Sequence, residues 1–105
     1  MTHGDLVIAS LPGDHGKPRP AIVIQAAEFD EHPSAALLPI TSHLIDAPLL
    51  RIDVGPGDGL DRPSQIQIDK PHTLLRERIG PVIGHVDQAT IRAVNRSLMV
   101  FLRLA

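Results

Sequence analysis

The chain has 105 residues, of which 43% are hydrophobic and 21% charged, and this composition is typical of one globular domain. It contains no cysteine, which excludes a disulfide framework, a thiolate zinc site and a cysteine nucleophile. The formal net charge of −2 argues against an overall basic coat for nucleic acid, although a local basic groove is compatible with it.

Strand-like patterns dominate the first 86 residues, and no helical period interrupts them. The predicted strands cover residues 6–11, 21–26, 35–41, 49–54, 65–69 and 82–86. Between them we expect a loop at 12–18, a turn at 55–59 and a short connector at 73–78. A series of short strands predicts a mainly β fold, and closure into a small barrel is the natural way to bury its edges.

Two of these strands carry more detailed expectations. Pro39 interrupts the strand at 35–41 and is expected to make it locally an edge or a bulge, because proline has no N–H to donate. Residues 65–69 alternate strictly, so Ile66 and Ile68 are expected to point inward. The expected outward residues of that strand are Gln65, Gln67 and Asp69.

The period changes after residue 86 and predicts an amphipathic helix of about four turns, with Asp87 as its N-cap. Its apolar residues recur at steps of three and four, at Ile91, Val94, Leu98, Phe101 and Leu102. Met99 and Val100 broaden this arc, so we expect part of the helix to meet a second protein surface. With only two aromatic residues in the chain the core is aliphatic, and additional burial in a dimer would stabilise it.

No uninterrupted apolar run approaches the ~20 residues that a transmembrane helix needs. The N-terminal segment has neither the basic start nor the small-residue cleavage site of a signal peptide. We therefore expect a cytoplasmic protein without membrane insertion, with residues 1–105 forming a single domain.

The most unusual local sequence is Gly16-Lys17-Pro18-Arg19-Pro20. Two prolines fix φ on either side of Arg19 and lower the entropy cost of holding its guanidinium in place. A fixed guanidinium at the mouth of a strand suits a phosphate, because it offers a planar fork of donors and keeps its charge. The alternative interpretation is a rigid strand entry with a solvated arginine.

Polar groups also follow two predicted strands. Thr41-Ser42-His43 ends the third strand, where a hydroxyl is placed to donate to a phosphate oxygen and His43 to move a proton. The alternative is an ordinary turn cap. Asp69-Lys70-Pro71-His72-Thr73 follows the fifth strand and, with Lys17, Arg19, Arg76 and Arg78, forms either a local basic track or scattered surface charge. The six histidines lack metal-binding spacings such as HxH or HExxH, so no metal site is predicted.

Several of these segments together resemble the MazF/PemK family, the toxins of toxin–antitoxin modules. The similar segments are GDLVIASLPGDHGKPRPAIVIQ, LLPITSH, GLDRPSQIQIDKPHTLLRERIGPVIGHVD and ATIRAVNRSLMVFL. They occur in the family's order and span nearly the whole chain, from residue 4 to residue 102. Two departures concern the segment after the fifth strand, where Lys70 replaces the usual Gln and His72 the usual Arg.

The resemblance implies an SH3-like β-barrel with a C-terminal helix, assembled as a homodimer. It also implies a metal-independent, sequence-selective endoribonuclease that cleaves single-stranded RNA without a cofactor and is neutralised by a cognate antitoxin. In this family Arg19 would be the main catalytic residue and Thr41 its partner, with Ser42 beside it. The residues expected to contact RNA are Lys17, His43, Asp69, Lys70, His72, Thr73 and Arg76.

Two other functions stay open on the sequence. A poison of the CcdB type shares the barrel but binds gyrase through its C-terminal helix, in which case Arg19 and Thr41 would be dispensable. An inactive SH3-like binding module would use Arg19 only to anchor an acidic group of a partner.

Overall fold

A computed structural model describes residues 1–13 and 16–104 of the chain. Within these residues the chain forms seven strands and one α-helix. The strands are β1 Asp5–Ala9, β2 Arg19–Val23, β3 Ser34–Thr41, β4 Arg51–Val54, β5 Ser64–Gln67, β6 His72–Leu75 and β7 Ile79–His85. The helix is α1 Gln88–Phe101, and short 3₁₀ helices cover Ala27–Phe29, Pro56–Asp58 and Arg76–Arg78. The loop predicted at 12–18 includes residues 14 and 15, which lie outside the described residues.

The strands form one antiparallel sheet in the order β4-β5-β3-β2-β1-β7, and β6 pairs with β3 beside this path. The predicted mainly β fold with a C-terminal helix is confirmed. The expected closure into a barrel is not made by a strand ladder, because β4 and β7, at the two ends of the order, do not pair with each other in the described residues.

The central strands β1, β2 and β3 bury side chains on both faces, which explains their continuous apolar sequences. One core lies between the sheet and α1; its buried members are Leu6, Ile22, Leu38, Ile40, Val54, Leu60, Ile66, Ile68, Val86, Ile91 and Val94. A smaller core on the other face contains Val7, Ala9, Leu11, Ala21, Val23 and Leu37. Alternation along the strands therefore assigns neighbouring residues to two separate cores.

β3 is the strand on which the sheet is organised, since it pairs with β2, β5 and β6. Its partner on one side changes from β6, up to residue 37, to β5, from residue 40. Pro39 lies at this change, where its only ladder partner among the described residues is Ala21 of β2. The strand as a whole is central rather than an edge, but the expectation of a local edge at Pro39 is correct.

Two expectations about the chain after residue 64 are wrong. The predicted connector at 73–78 contains strand β6, which pairs with residues 34–37 of β3, followed by a 3₁₀ turn. Gln65 was expected to point into solvent, but its side chain is only 8% exposed because a loop covers that side of β5. Ile66 and Ile68 are fully buried, as the alternation predicts.

The turn at Pro56–Asp58 packs directly on β7, and this packing depends on two glycines. Gly59 has φ +107°, a left-handed conformation that glycine adopts without strain. A Cβ on Gly84 of β7 would collide with the carbonyl oxygen of Asp58. The close approach of the two backbones places the next residue, Leu60, in the core.

Helix α1 begins as predicted, because the Asp87 carboxylate accepts a hydrogen bond from the Thr90 N–H at 2.8 Å. This contact holds the pKa of Asp87 below its ordinary value. Ile91 and Val94 pack in the core, whereas Phe101 and Leu102 are nearly half exposed, so the buried stripe ends earlier than the sequence period suggested. In the described part of the chain, the helix is too short and too polar to cross a lipid bilayer.

Candidate active site

A cleft of about 690 Å³ opens where β2 begins and β3 ends. Its charged and imidazole lining residues are Arg19, His43, Asp61, Arg62, Lys70 and His72. Three permanent cations therefore face one carboxylate among the described lining residues, in a chain whose net charge is −2. The lining therefore carries a local excess of positive charge, which attracts a polyanion.

Arg19 and Thr41, predicted to act together, lie at adjacent ends of neighbouring strands. The ladder between β2 and β3 ends at the pair Ala21–Pro39, so Arg19 and Thr41 each lie two residues beyond its last pair. Both residues line the cleft. Their side chains therefore border the same space, in which a phosphate can lie.

The segment Thr41-Ser42-His43 forms a tight turn at this end of β3. The Thr41 hydroxyl oxygen accepts a hydrogen bond from the His43 backbone N–H at 3.1 Å. The hydroxyl is thus a turn cap, as one interpretation of the sequence held, but only its oxygen is occupied in that contact. Its hydrogen is still available to donate to a ligand. Ser42 and His43 are exposed on the cleft wall beside it.

His72 begins β6 and lines the cleft together with Lys70. Its ring Nδ1 lies 2.8 Å from the carbonyl oxygen of Lys70. Since a carbonyl only accepts, Nδ1 must carry the hydrogen in this contact, and in the neutral ring Nε2 is then the basic nitrogen. The backbone contact thereby fixes which nitrogen of His72 can take up a proton.

A hydrogen-bond network supports the loop that follows His43. The Gln65 side chain binds both backbone groups of Ile45: its Oε1 accepts from the N–H and its Nε2 donates to the carbonyl, each at 3.1 Å. The same Oε1 accepts from Arg51 at 3.1 Å, and Nε2 donates to Asp53 at 3.2 Å. Arg51 in turn donates to the carbonyl of His43 at 3.1 Å. This network lies on β4 and β5, beside the cleft.

Four residues predicted to contact RNA do not line the cleft. Lys17, Asp69 and Thr73 are sequence neighbours of lining residues, and Lys17 and Thr73 are exposed at the rim of that region. Arg76 lies elsewhere: its guanidinium donates to the backbone carbonyls of His32 and Phe29, the latter at 3.0 Å. Arg76 therefore holds the loop that precedes β3, at the opposite end of the strand from Thr41.

The sequence reasoning missed other lining residues. Asp61 and Arg62 come from the segment that enters β5, and Ser64 and Gln67 from β5 itself. Only the pairing of strands reveals these residues. Gln65 is the ladder partner of Thr41, so residues at this end of β5 lie beside the predicted site. The order of strands in the sheet cannot be derived from the local sequence pattern.

Within residues 1–13 and 16–104, no three His, Asp or Glu side chains come together as a metal site would require. The described residues of the cleft offer a guanidinium, hydroxyl donors and an imidazole.

Comparison with known proteins identifies the family to which the chain belongs. Residues 2–102 match the family described as PemK-like, MazF-like toxin of type II toxin-antitoxin system. The chain belongs to this toxin family. It is also 37% identical over 108 residues to a protein named probable endoribonuclease MazF from Mycolicibacterium smegmatis, with 100% of this chain and 99% of that protein covered.

Three solved structures share the fold of this toxin. The Mycobacterium tuberculosis toxin MazF-mt6 superposes with a TM-score of 0.85 at 22% identity, over 96% of this chain and 98% of that one. A mycobacterial endoribonuclease in complex with its cognate antitoxin gives 0.84 at 21% identity, covering 100% and 97%. The MazE–MazF structure (Form-III) from Deinococcus radiodurans gives 0.83 at 20% identity, covering 100% and 98%. The expected family and fold are confirmed.

Proposed function

We propose that this toxin is an endoribonuclease that cuts single-stranded RNA without a metal ion, in a cleft centred on Arg19 and Thr41. The observation that carries the proposal is that a proline-flanked arginine and a strand-end hydroxyl line the same cleft, together with two further cations. The relative from Mycolicibacterium smegmatis, matched over its whole length, is itself named a probable endoribonuclease.

The proposed reaction is an internal transfer of the phosphate. The 2′-oxygen of the nucleotide before the cut bonds to phosphorus, and the bond between phosphorus and the 5′-oxygen of the next nucleotide breaks. The 2′-hydroxyl loses its proton to a base, and the leaving 5′-oxygen gains one. The products are a 2′,3′-cyclic phosphate and a 5′-hydroxyl, and no water or metal enters this step.

Arg19 is proposed to stabilise the negative charge that builds up on the non-bridging phosphate oxygens in the transition state. A preorganised guanidinium contributes more there than in the ground state, which is the requirement for catalysis. Thr41 donates its free hydroxyl hydrogen to one of the same oxygens, and Ser42, next along the turn, can donate to another. The leaving 5′-oxygen takes its proton from the medium, because the Arg19 guanidinium keeps its charge throughout.

Between the two histidines, His72 is the better candidate for the base. Its Nδ1 is committed to the Lys70 carbonyl, so Nε2 is the nitrogen that accepts a proton. A histidine with one nitrogen fixed in this way is held in a defined tautomer and orientation, as a general base requires. His43 is anchored through its backbone instead, and we assign it to RNA contact.

RNA binding is proposed to extend from the cleft along its cations. Lys70 and Arg62 line the cleft, and Lys17 and Thr73 flank it; Asp69 would contact a base edge rather than a phosphate. Because each phosphate contact releases counterions, binding should weaken steeply with salt.

The antitoxin of this toxin is proposed to cover the same cleft with an acidic segment, since the cations that attract RNA also attract carboxylates. Two of the three structures compared above are complexes with an antitoxin or MazE. We further propose a homodimer, because the end of α1 exposes Val100 to 62% and Leu102 to 49%. Sedimentation of the free protein would test the dimer. The chain would act as one domain in the cytoplasm, where its RNA substrates are.

The deciding experiment incubates the purified protein with a long single-stranded RNA in EDTA, beside Arg19→Ala, and maps the new 5′ ends. Discrete cuts with 5′-hydroxyl ends by the wild type alone are the expected result. If the folded wild type makes no cuts, the nuclease proposal is wrong. Growth arrest without RNA cleavage would then point to a gyrase-binding poison, and no arrest to an inactive binding module.

A further inference from the structure

Gln65 is the side chain that joins the cleft to the loop behind it. It is the ladder partner of Thr41 on β3 and of Asp53 on β4, so it stands between the proposed catalytic threonine and the outer strand. A polar side chain only 8% exposed usually needs all its hydrogen bonds, and both ends of this amide are satisfied in the described structure. Its partners are two backbone groups of one loop residue and two charged side chains.

We propose that Gln65 is a positioning residue: through Ile45 and Arg51 it fixes the Thr41–His43 turn in the geometry that the cleavage of RNA requires. This inference rests on the proposed nuclease function. It adds a residue that does not touch the substrate and acts through the residues that do.

The connection can be followed atom by atom. Gln65 Oε1 holds the Arg51 guanidinium, which donates to the carbonyl of His43. The N–H of His43 donates to the Thr41 hydroxyl oxygen, which holds that oxygen in place and leaves the hydroxyl hydrogen available to donate. A second connection runs through Ile45, whose N–H and carbonyl are both bound by the same amide. The loop therefore has two attachments to one side chain.

A preorganised catalytic site tolerates only small displacements of its groups. A hydroxyl misplaced by about 1 Å loses much of its interaction with the transition state, and such displacements cost up to roughly a hundredfold in rate. Substrate binding depends on many phosphate contacts and is much less sensitive to one of them. Loss of the Gln65 amide should therefore lower kcat and leave KM nearly unchanged.

The test compares Gln65→Met with Gln25→Met. Gln25 lies just after the end of β2 and provides a matched control. Gln25 likewise uses its amide to hold a loop: Nε2 donates to Phe29 and Ser34, and Oε1 accepts from Ala36. It lies at the other end of β3 and does not line the cleft. Both variants should lower the melting temperature by a similar amount, which separates loss of stability from loss of positioning.

Expected results are a fall in kcat of about tenfold or more for Gln65→Met, with KM within about twofold, and an unchanged kcat for Gln25→Met. Hydrogen exchange at the His43 amide should accelerate only in Gln65→Met. Equal kcat values in the two variants would overturn the inference, whether both are active or both impaired. If the wild type itself does not cut RNA, it is the proposed function that fails first.

Exchanging the amide and the carboxylate between positions 65 and 53 gives an independent check of the positioning role. Gln65→Glu places a carboxylate against Asp53 and should impair cleavage, whereas Asp53→Asn alone retains an oxygen that can accept from Gln65. In the double variant the amide introduced on β4 can donate to the carboxylate introduced on β5, which reverses the direction of the bond. Partial recovery of the lost kcat in the double variant supports positioning through this network, since the new carboxylate still cannot donate to the Ile45 carbonyl. Additive losses would contradict it.

Discussion

The two ends of β3 are held by the same kind of device but have different surroundings. At the Ser34 end, Gln25 and Arg76 bind backbone groups of the preceding loop. At the Thr41 end, Gln65 and Arg51 bind backbone groups of the following loop. Each end thus combines one glutamine amide and one guanidinium with main-chain carbonyls.

The difference lies in what faces each end. Beside Thr41 the strand order brings the start of β2, with Arg19, and the segment with Arg62 and Lys70 into one cleft. At the Ser34 end, the Arg76 guanidinium already donates to backbone carbonyls of the loop. A cation near a strand end is available to a ligand only when its donors are not already taken by backbone carbonyls.

The largest expected effect is on the cleavage rate, and it distinguishes Arg19, near Thr41, from Arg76, near Ser34. Arg19→Lys keeps the charge but loses the planar fork of donors, so we expect cleavage to fall by about a hundred- to a thousandfold. Arg76→Lys should instead lower the free energy of unfolding by about 2 kcal/mol, through loss of its carbonyl contacts, and leave kcat and KM unchanged. Initial rates and urea unfolding of both variants measure this. A higher KM for Arg76→Lys would restore its predicted role in RNA binding.

The next effect concerns the base. His72→Gln keeps a donor for the Lys70 carbonyl but cannot accept a proton from the 2′-hydroxyl, so kcat should fall by about a hundredfold. His43→Gln, at another histidine that lines the cleft, serves as the comparison and should retain most of the wild-type kcat. If His72→Gln retains kcat and His43→Gln loses it, the assignment of the base is reversed.

A smaller effect is expected at the Thr41 hydroxyl. Thr41→Val removes the donor to the phosphate and the acceptor for the His43 N–H, and cleavage should fall by about tenfold or more. Thr41→Ser keeps the hydroxyl and should retain most of the activity. Ser34→Ala, at the other end of the strand, should have no effect on the rate. Full activity in Thr41→Val would remove this residue from the proposed mechanism.

The sequence predicted the Thr41 end better than the Ser34 end for a physical reason. Arg19 is marked by its flanking prolines and Thr41 by the end of an apolar run, and both signals are local. Arg76 carries no local sign that its guanidinium will bind carbonyls more than 40 residues earlier in the chain, at His32 and Phe29. Its position depends on the pairing of β6 with β3, and a strand of only four residues is not evident from the sequence.

Gln65 shows a second kind of error. Alternation along β5 correctly distinguishes its two faces, and Ile66 and Ile68 are buried as predicted. It does not tell whether the outer face meets solvent or a loop, because that depends on where residues 42–50 return across the sheet. A buried glutamine and an exposed one have the same pattern in sequence, and only the partners of the amide distinguish them.

The smallest expected effect lies at a carboxylate remote from both ends and concerns stability alone. Asp5 accepts hydrogen bonds from His85 at 2.7 Å and from the Thr2 N–H at 2.8 Å. Burial by itself would raise the pKa of Asp5, but these bonds and the nearby positive charge hold it below the ordinary 3.8. The ionised form therefore stabilises the folded state above that value, and the contribution is lost as the pH falls through the lower, folded-state pKa.

Asp5→Asn should lower the melting temperature at neutral pH and flatten the dependence of stability on pH below about 4, where only the wild type loses this contribution. Thermal unfolding of both proteins across the acid range measures it. Since Asp5 is outside the cleft, the rate of RNA cleavage at neutral pH should not change in the variant. A wild type and variant with parallel pH profiles would mean that the Asp5–His85 contact does not persist in solution, and that the start of β1 is held by its strand pairing alone.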